Sequence, residues 1–139
     1  MKRKKNRNIK EEELEKELKI LRTLSDGMDE TVYVADPDTY ELLFVNKKTN
    51  DMFGQKITGK KCHKVFQNLN QPCPFCTNKY IFGKNLGKTY IREVQNLKNK
   101  RWYRCIDKAI EWPEGKHARY ETAIDITDQK TAQEVLQES

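Results

Sequence analysis

The stretch RWYRCIDKAIEWPEGKHARYETAIDITD, residues 101–128, constrains the fold most, because its pattern predicts a long β-hairpin that runs into a final helix. Two runs rich in aromatic and β-branched residues flank Pro-Glu-Gly-Lys at 113–116, where proline presets φ and glycine tolerates a positive φ. A loop with two or four residues would bring opposite charges together across the strands, which cross-strand pairing favours. The pairs would be Lys108 with Glu121 and Arg104 with Asp125. We therefore predict this register.

The predicted register divides the hairpin into two faces, since a one-residue slip would exchange the faces of one strand. One face would carry Tyr103, Cys105, Asp107, Ala109, Tyr120, Thr122, Ile124 and Ile126. The other would carry Trp102, Ile106, Ile110 and Trp112 among charged residues. An apolar wall with a few polar groups suits a small ligand, although a filled core with satisfied hydroxyls has the same composition. The candidate ligand-binding residues are Tyr103, Cys105, Asp107, Tyr120, Thr122 and Ile124.

Asp107 would lie on the candidate ligand face as a buried carboxylate, and buried carboxylates normally have partners. It is expected to pair with Arg92 of the neighbouring strand, or otherwise to orient an amine or hydroxyl of a ligand.

The charge distribution argues against a nucleic-acid-binding body. The net charge of +6 equals the six lysines and arginines among residues 1–10, which contain no acid, so the remainder is neutral overall. Residues 1–8 are interpreted as a disordered basic tail. With no long apolar run and no signal-peptide pattern, a cytoplasmic protein without a transmembrane segment is predicted.

The remaining segments predict an α+β fold with one antiparallel sheet and short helices on one face. Residues 9–27 form an amphipathic helix whose leucines follow a heptad pattern, either packing on the chain's own sheet or forming a coiled coil with a second copy. The further predicted elements are strands Thr31–Ala35, Glu41–Val45 and Thr89–Asn96, a helix Lys47–Phe53 capped by Asn46, a segment Lys60–Phe66, and a helix with Pro74 in its first turn.

Cysteines supply the candidate redox or metal site. Cys73 and Cys76 have C-x-x-C spacing at the predicted start of a helix, where exposed amides would stabilise a thiolate. Together with Cys62 and His63 they could ligate zinc or an iron–sulfur cluster, with Cys105 as another donor. Structural thiols and a reversible disulfide remain alternatives.

Several short motifs, in this order along the chain, resemble those of PAS domains. They are the strands leading into Val45-Asn46, the helix that closes with Phe53-Gly54, the segment Gly59-Lys60-Lys61-Cys62, the Trp-Pro-Glu-Gly hairpin and the terminal Asp125-Ile126-Thr127-Asp128. The resemblance implies a five-stranded sheet in order 2-1-5-4-3, a pocket beneath short helices and dimerisation through the N-terminal helix. It also implies a non-enzymatic sensory module at 28–128, with 129–139 starting a signalling helix towards a histidine kinase of a two-component system or a diguanylate cyclase.

Cofactors of related domains can be compared with this chain residue by residue. The segment from Gly59 to Gln67 resembles the stretch that holds the flavin-reactive cysteine of LOV domains, but it lacks the arginine and asparagine that frame the flavin. The final strand lacks the glutamine that bonds the flavin, and the helix at 76–82 has no histidine for haem. Flavin and haem are therefore disfavoured. A cysteine-based switch and a ligand-free dimerisation adaptor remain the alternatives to a ligand sensor.

Overall fold

The computed structural model of the chain describes residues 8–138, so residues 1–7 of the predicted basic tail lie outside the described residues. The helices are α1 (Ile9–Asp26), α2 (Lys47–Phe53), α3 (Cys62–Gln67), α4 (Asn78–Ile81) and α5 (Thr127–Glu138), with short 3₁₀ turns at Gly83–Asn85 and Pro113–Gly115. The strands are β1 (Thr31–Ala35), β2 (Leu42–Val45), β3 (Thr89–Gln95), β4 (Trp102–Trp112) and β5 (Lys116–Asp125).

The five strands form one antiparallel sheet in the order β2-β1-β5-β4-β3, which confirms the predicted α+β architecture. The central position of β5 follows from its pairing with β1 on one side and with its hairpin partner β4 on the other. Short helices cover one face, where a core cluster is buried between sheet and helices. Its members are Tyr33, Ala35, Leu42, Ile57, Cys62 and Val65.

The hairpin register differs from the predicted one by a single residue. Arg104 lies opposite Ile124 and Lys108 opposite Tyr120, so both predicted charge pairs are wrong. The physical reason is a three-residue loop, in which Glu114 as well as the following glycine takes a positive φ, of 77° and 75° respectively. An odd loop exchanges the two faces of β5 while leaving β4 as predicted.

Asn46 confirms its predicted role as the cap of α2, and it also joins that helix to the sheet. Its Oδ1 accepts hydrogen bonds from the backbone amides of Thr49 and Val32, both at 3.1 Å, and its Nδ2 donates to Glu30 O at 2.9 Å. The side chain is 1% exposed, so these bonds satisfy groups that water cannot reach. The helix ends at Gly54, in the left-handed conformation, as predicted.

The terminal helices lie largely in solvent. No residue of α1 is buried, and the heptad residues Leu14, Leu18 and Leu21 are more than half exposed, so the interpretation that this stripe packs on the chain's own sheet is wrong. Helix α5 begins at Thr127, two residues before the predicted Gln129, because Asp125 Oδ1 accepts from the Thr127 amide at 2.9 Å. No helix within residues 8–138 is long and apolar enough to cross a membrane.

Candidate ligand cavity

A cavity of about 380 Å³ lies between the sheet and the short helices. Six aromatic side chains contribute to its wall: Tyr33, Tyr40, Phe53, Phe66, Phe75 and Tyr103. Two come from strands and two from helices, whereas Tyr40 and Phe75 come from connecting segments, and several of the rings contact each other. The rings of Tyr33 and Phe66 have centroids 4.7 Å apart, and those of Phe53 and Phe66 are 5.5 Å apart. A cavity of this volume and lining can enclose a small molecule with an apolar body.

All four cysteines line this cavity, and none forms a disulfide. Cys73 and Cys76 lie in a turn closed by the Cys76 amide, which donates to Cys73 O at 3.0 Å, and the next helix begins only at Asn78. The predicted helix N-terminus at Pro74 is therefore wrong, because residues 73–76 form a turn instead of the first turn of a helix. Burial raises the pKa of the Cys73 thiol to about 11, opposite to the predicted thiolate stabilisation.

The metal candidates share the cavity wall without forming a ligand cluster. Within the described ranges, no group of three or more histidine, cysteine, aspartate or glutamate side chains could hold a metal ion. His63 is 7% exposed and its ring meets Tyr40 edge-on, with centroids 5.5 Å apart. Burial, and next the charge of Lys61, lowers the His63 pKa, so the ring is neutral near pH 7. This geometry gives the predicted zinc or iron–sulfur site at Cys62, His63, Cys73 and Cys76 no support.

A buried charged cluster forms the sheet side of the cavity. Asp107 and Glu121 lie directly opposite each other on β4 and β5, and Arg119 Nη1 is 3.7 Å from Glu121 Oε1. Asp107 is fully buried, and neither of its carboxyl oxygens has a hydrogen-bond partner among the described residues. Burial and then the Asp107 carboxylate raise the pKa of Glu121 well above its usual value, while Arg119 opposes the shift. Glu121 therefore holds its proton more readily than an exposed carboxyl group would.

The predicted ligand-binding residues divide according to the register. Tyr103 and Cys105 line the cavity, whereas Asp107 lies buried in the sheet without lining it. The placement of Tyr120, Thr122 and Ile124 on this face is wrong, because the odd loop turns them to the opposite face. The residues from β5 that do line the cavity are Arg119, Glu121 and Ala123.

The predicted pair of Asp107 with Arg92 is also wrong. Arg92 lies opposite Cys105 and turns towards the cysteine turn, where its Nη1 donates to Phe75 O at 2.8 Å and its guanidinium lies 5.2 Å from the Phe75 ring centroid. Sequence reasoning missed both Arg92 and Arg119 as cavity residues. For Arg119, the signal that would have found it is the length of the hairpin loop.

Comparisons with known proteins agree with this geometry. A family model described as PAS domain matches residues 19–87. The chain is similar to the PAS domain of an HTR-like protein from Haloarcula marismortui, at 16% identity and a TM-score of 0.65, with 86% of this chain and 100% of that chain covered. It is similar to the PAS domain of BvgS from Bordetella pertussis at 19% identity and a TM-score of 0.54, with 93% and 99% covered.

A third similar structure is an RNA-binding light-oxygen-voltage receptor, at 14% identity and a TM-score of 0.63. The alignment covers 86% of this chain but only 36% of that receptor. No curated protein matches the chain. The structural similarities, all at low identity, concern the fold.

Proposed function

We propose that this chain, which belongs to the PAS domain family, is a sensory module that binds a small molecule in its cavity and passes the change on through its terminal helices. Members of the family are sensory and signalling modules. The observation that carries the proposal is the aromatic cavity of about 380 Å³ on the helix-covered face of the sheet. A concave space with mostly apolar walls and a few polar groups is what recognition of a small ligand requires.

The contacts around α5 support a route from the cavity to the C-terminal helix. Lys130 of α5 forms an ion pair with Glu93 of β3 at 2.6 Å, and its Nζ lies 5.1 Å from the ring centroid of Trp102 on β4. The Trp102 amide donates to Thr127 Oγ1 at 2.9 Å, at the start of the helix. Because these contacts join α5 to strands that also line the cavity, a ligand that favours one arrangement of the sheet would bias the helix.

The exposed stripe of α1 supports a homodimer formed by this helix. Leucines that are more than half exposed and spaced as a heptad seam bury apolar surface only against a partner, and a second copy supplies a matching stripe. Replacing Leu18 and Leu21 together by alanine should convert the dimer to a monomer in light scattering. The matched change of Lys16 and Lys19 to alanine, on the side of the helix opposite the stripe, should leave the dimer intact. A dimer that survives the leucine changes would rule out this interface.

The output partner in this proposal is an effector domain such as a histidine kinase or a diguanylate cyclase, and the chain itself is not an enzyme and acts in the cytoplasm. Nucleic acid is not expected as a partner, because the chain beyond the first ten residues is neutral overall. The similarity to an RNA-binding receptor makes this expectation worth measuring. Saturable, salt-dependent binding of a short RNA by residues 8–139 would contradict it.

The cavity itself can be tested by filling it. Val94 lines the cavity from β3, whereas Ile91 on the same strand is 60% exposed. Small molecules released from denatured protein and identified by mass spectrometry should be the same for the wild type and Ile91→Phe, and absent for Val94→Phe. The sensor proposal would be wrong if the wild type releases nothing and no compound of a fragment library shifts the NMR signals of cavity residues. The chain would then be interpreted as a ligand-free dimerisation adaptor.

A cysteine-based switch is the second candidate, and it is favoured by the position of all four cysteines on one cavity. The raised pKa of Cys73 acts against it, because the thiolate is the reactive form. Under a mild oxidant the switch predicts loss of two free thiols, from Cys73 and Cys76 or from Cys62 and one of them, and changing both Cys73 and Cys76 to serine should prevent that loss. Four free thiols after oxidation, with no metal in elemental analysis, would eliminate this candidate.

A further inference from the structure

Arg119 is a buried cation in the wall of the cavity. It is 5% exposed, and in the described part of the chain its guanidinium makes one hydrogen bond, from Nη2 to Cys62 Sγ at 3.3 Å. Its nearest acid, Glu121, is 3.7 Å away, beyond hydrogen-bond distance. A guanidinium has five N–H donors, so most of its hydrogen-bonding capacity is unused at a position that faces an apolar space. A buried charge in this state gains from an acceptor that enters the cavity.

The charges along the cavity wall have an excess of one sign. The cations that line it are Arg92, Lys98 and Arg119, and the acid that lines it is Glu121. Burial, and next the neighbouring Asp107, raise the pKa of Glu121, and this weakens its compensation of the Arg119 charge. His63, also in the wall, is neutral. The cavity therefore attracts negative charge.

Three of the six aromatic rings in the wall already have a cation of the chain near their face. Arg119 lies 5.4 Å from the ring centroid of Tyr33, Arg92 lies 5.2 Å from that of Phe75, and Lys98 lies 5.2 Å from that of Phe53. An ammonium group entering the cavity would meet ring faces that already hold cations, at short distance from like charges. The rings remain available to the apolar body of a ligand.

We propose that the cavity binds a small organic anion, a carboxylate on an aromatic or aliphatic body, with its charged end against Arg119 and its body against the rings. This inference rests on the proposed sensory function and names the ligand class for it. A carboxylate can accept two parallel N–H bonds from a guanidinium, which gives both strength and orientation. The largely unused donor set of Arg119 and the charge excess of the wall both match this chemistry.

The test compares three probes with one body and different charge: phenylacetate, phenylacetamide and phenethylamine. Dissociation constants come from NMR titrations of the full chain. Phenylacetate should bind at least about tenfold more tightly than the amide, since charge-assisted bonds exceed neutral ones, and the amine should bind most weakly. The preference should disappear when Arg119→Met is combined with Glu121→Gln, a pair that leaves neither partner charged. Arg119→Lys should keep part of the preference for phenylacetate. Arg104→Met, on the opposite face of β4, should keep the whole preference.

The outcomes separate this inference from the proposed function. Equal or tighter binding of the amide or amine, or a preference that survives the double variant, would overturn the anion while leaving the sensory cavity in place. If none of the probes shifts the signals of cavity residues, the charge of the molecule released from the purified protein decides: an anion supports the inference, and a neutral or cationic molecule overturns it. If nothing binds and nothing is released, the cavity function falls as well.

Discussion

Replacing Glu121 by glutamine should stabilise the protein, and increasingly so as the pH rises. Glu121 is 7% exposed and faces the fully buried Asp107 across the hairpin, and burial and this neighbour raise its pKa well above the ordinary 4.5. An acid with a raised pKa binds its proton more tightly in the folded than in the unfolded protein. Its contribution therefore favours folding below pH 4.5 and is lost as the pH rises towards the folded pKa. A glutamine keeps the shape and an N–H donor for Asp107 but has no proton to lose.

The magnitude follows from proton linkage. While the folded protein keeps a proton that the unfolded chain has released, stability falls by about 1.4 kcal/mol per pH unit. From about pH 5 to about pH 7, the gain from Glu121→Gln should therefore grow by up to about 3 kcal/mol. Other groups also titrate. Burial lowers the pKa of His63. Burial acts to raise the pKa of Asp36, but its hydrogen bonds to Lys116 and nearby amides lower it overall, and both contributions cancel when variant and wild type are compared at each pH.

Urea unfolding at the two pH values gives the free energies of unfolding. The exposed Glu111 on the same hairpin provides the control, and Glu111→Gln should change stability by less than about 0.5 kcal/mol at either pH. A loss of stability in Glu121→Gln that is the same at both pH values would refute the reasoning, because it would mean that Glu121 is ionised and held by Arg119.

Three further changes test the packing and the thiols. Ile57→Ala, at a fully buried position of the core, should lower the free energy of unfolding by about 2–5 kcal/mol. The control Ile91→Ala, on the exposed side of β3, should lower it by less than about 0.5 kcal/mol. Similar losses for the two variants would contradict the core assignment. Asn46→Ala should cost about 2 kcal/mol or more because it orphans buried backbone amides, and Asn46→Asp, which keeps the acceptor, should recover much of this loss in thermal unfolding. Cys73 should react with iodoacetamide at about pH 8 at least about tenfold more slowly in the folded protein than in urea, and equal rates would contradict its raised pKa.

Local chemistry was sufficient to predict most of the fold. The cap at Asn46, the glycine after α2 and the polar residues before α5 each act within a few residues, so their signals survive in the sequence. The sheet order followed from a resemblance in the order of motifs, and the structure has that order. The boundary of α4 was less predictable, because proline at position 74 suits a turn as well as the first turn of a helix.

The main error was the predicted register between β4 and β5, because it was chosen from interactions that contribute little free energy. Two exposed charge pairs argued for an even loop, but such pairs contribute only about 0.2–1 kcal/mol each. The observed three-residue loop forms without these pairs, although it holds a glutamate at a positive φ, a conformation that glycine usually supplies. Nothing in the sequence at Glu114 announces this choice.

The one-residue difference also changes how a ligand could reach the output helix. In the observed register, the β5 side chains that point towards the cavity are Arg119, Glu121 and Ala123, and the next in this series is Asp125. Asp125 forms an ion pair with Arg101 and accepts the amide of Thr127 at the first turn of α5. Strand β5, which carries Arg119, thus ends at Asp125, the residue that fixes the start of α5. A ligand shifts α5 only by as much as it prefers one arrangement of this strand. We therefore expect the coupling between the cavity and α5 to run through β5.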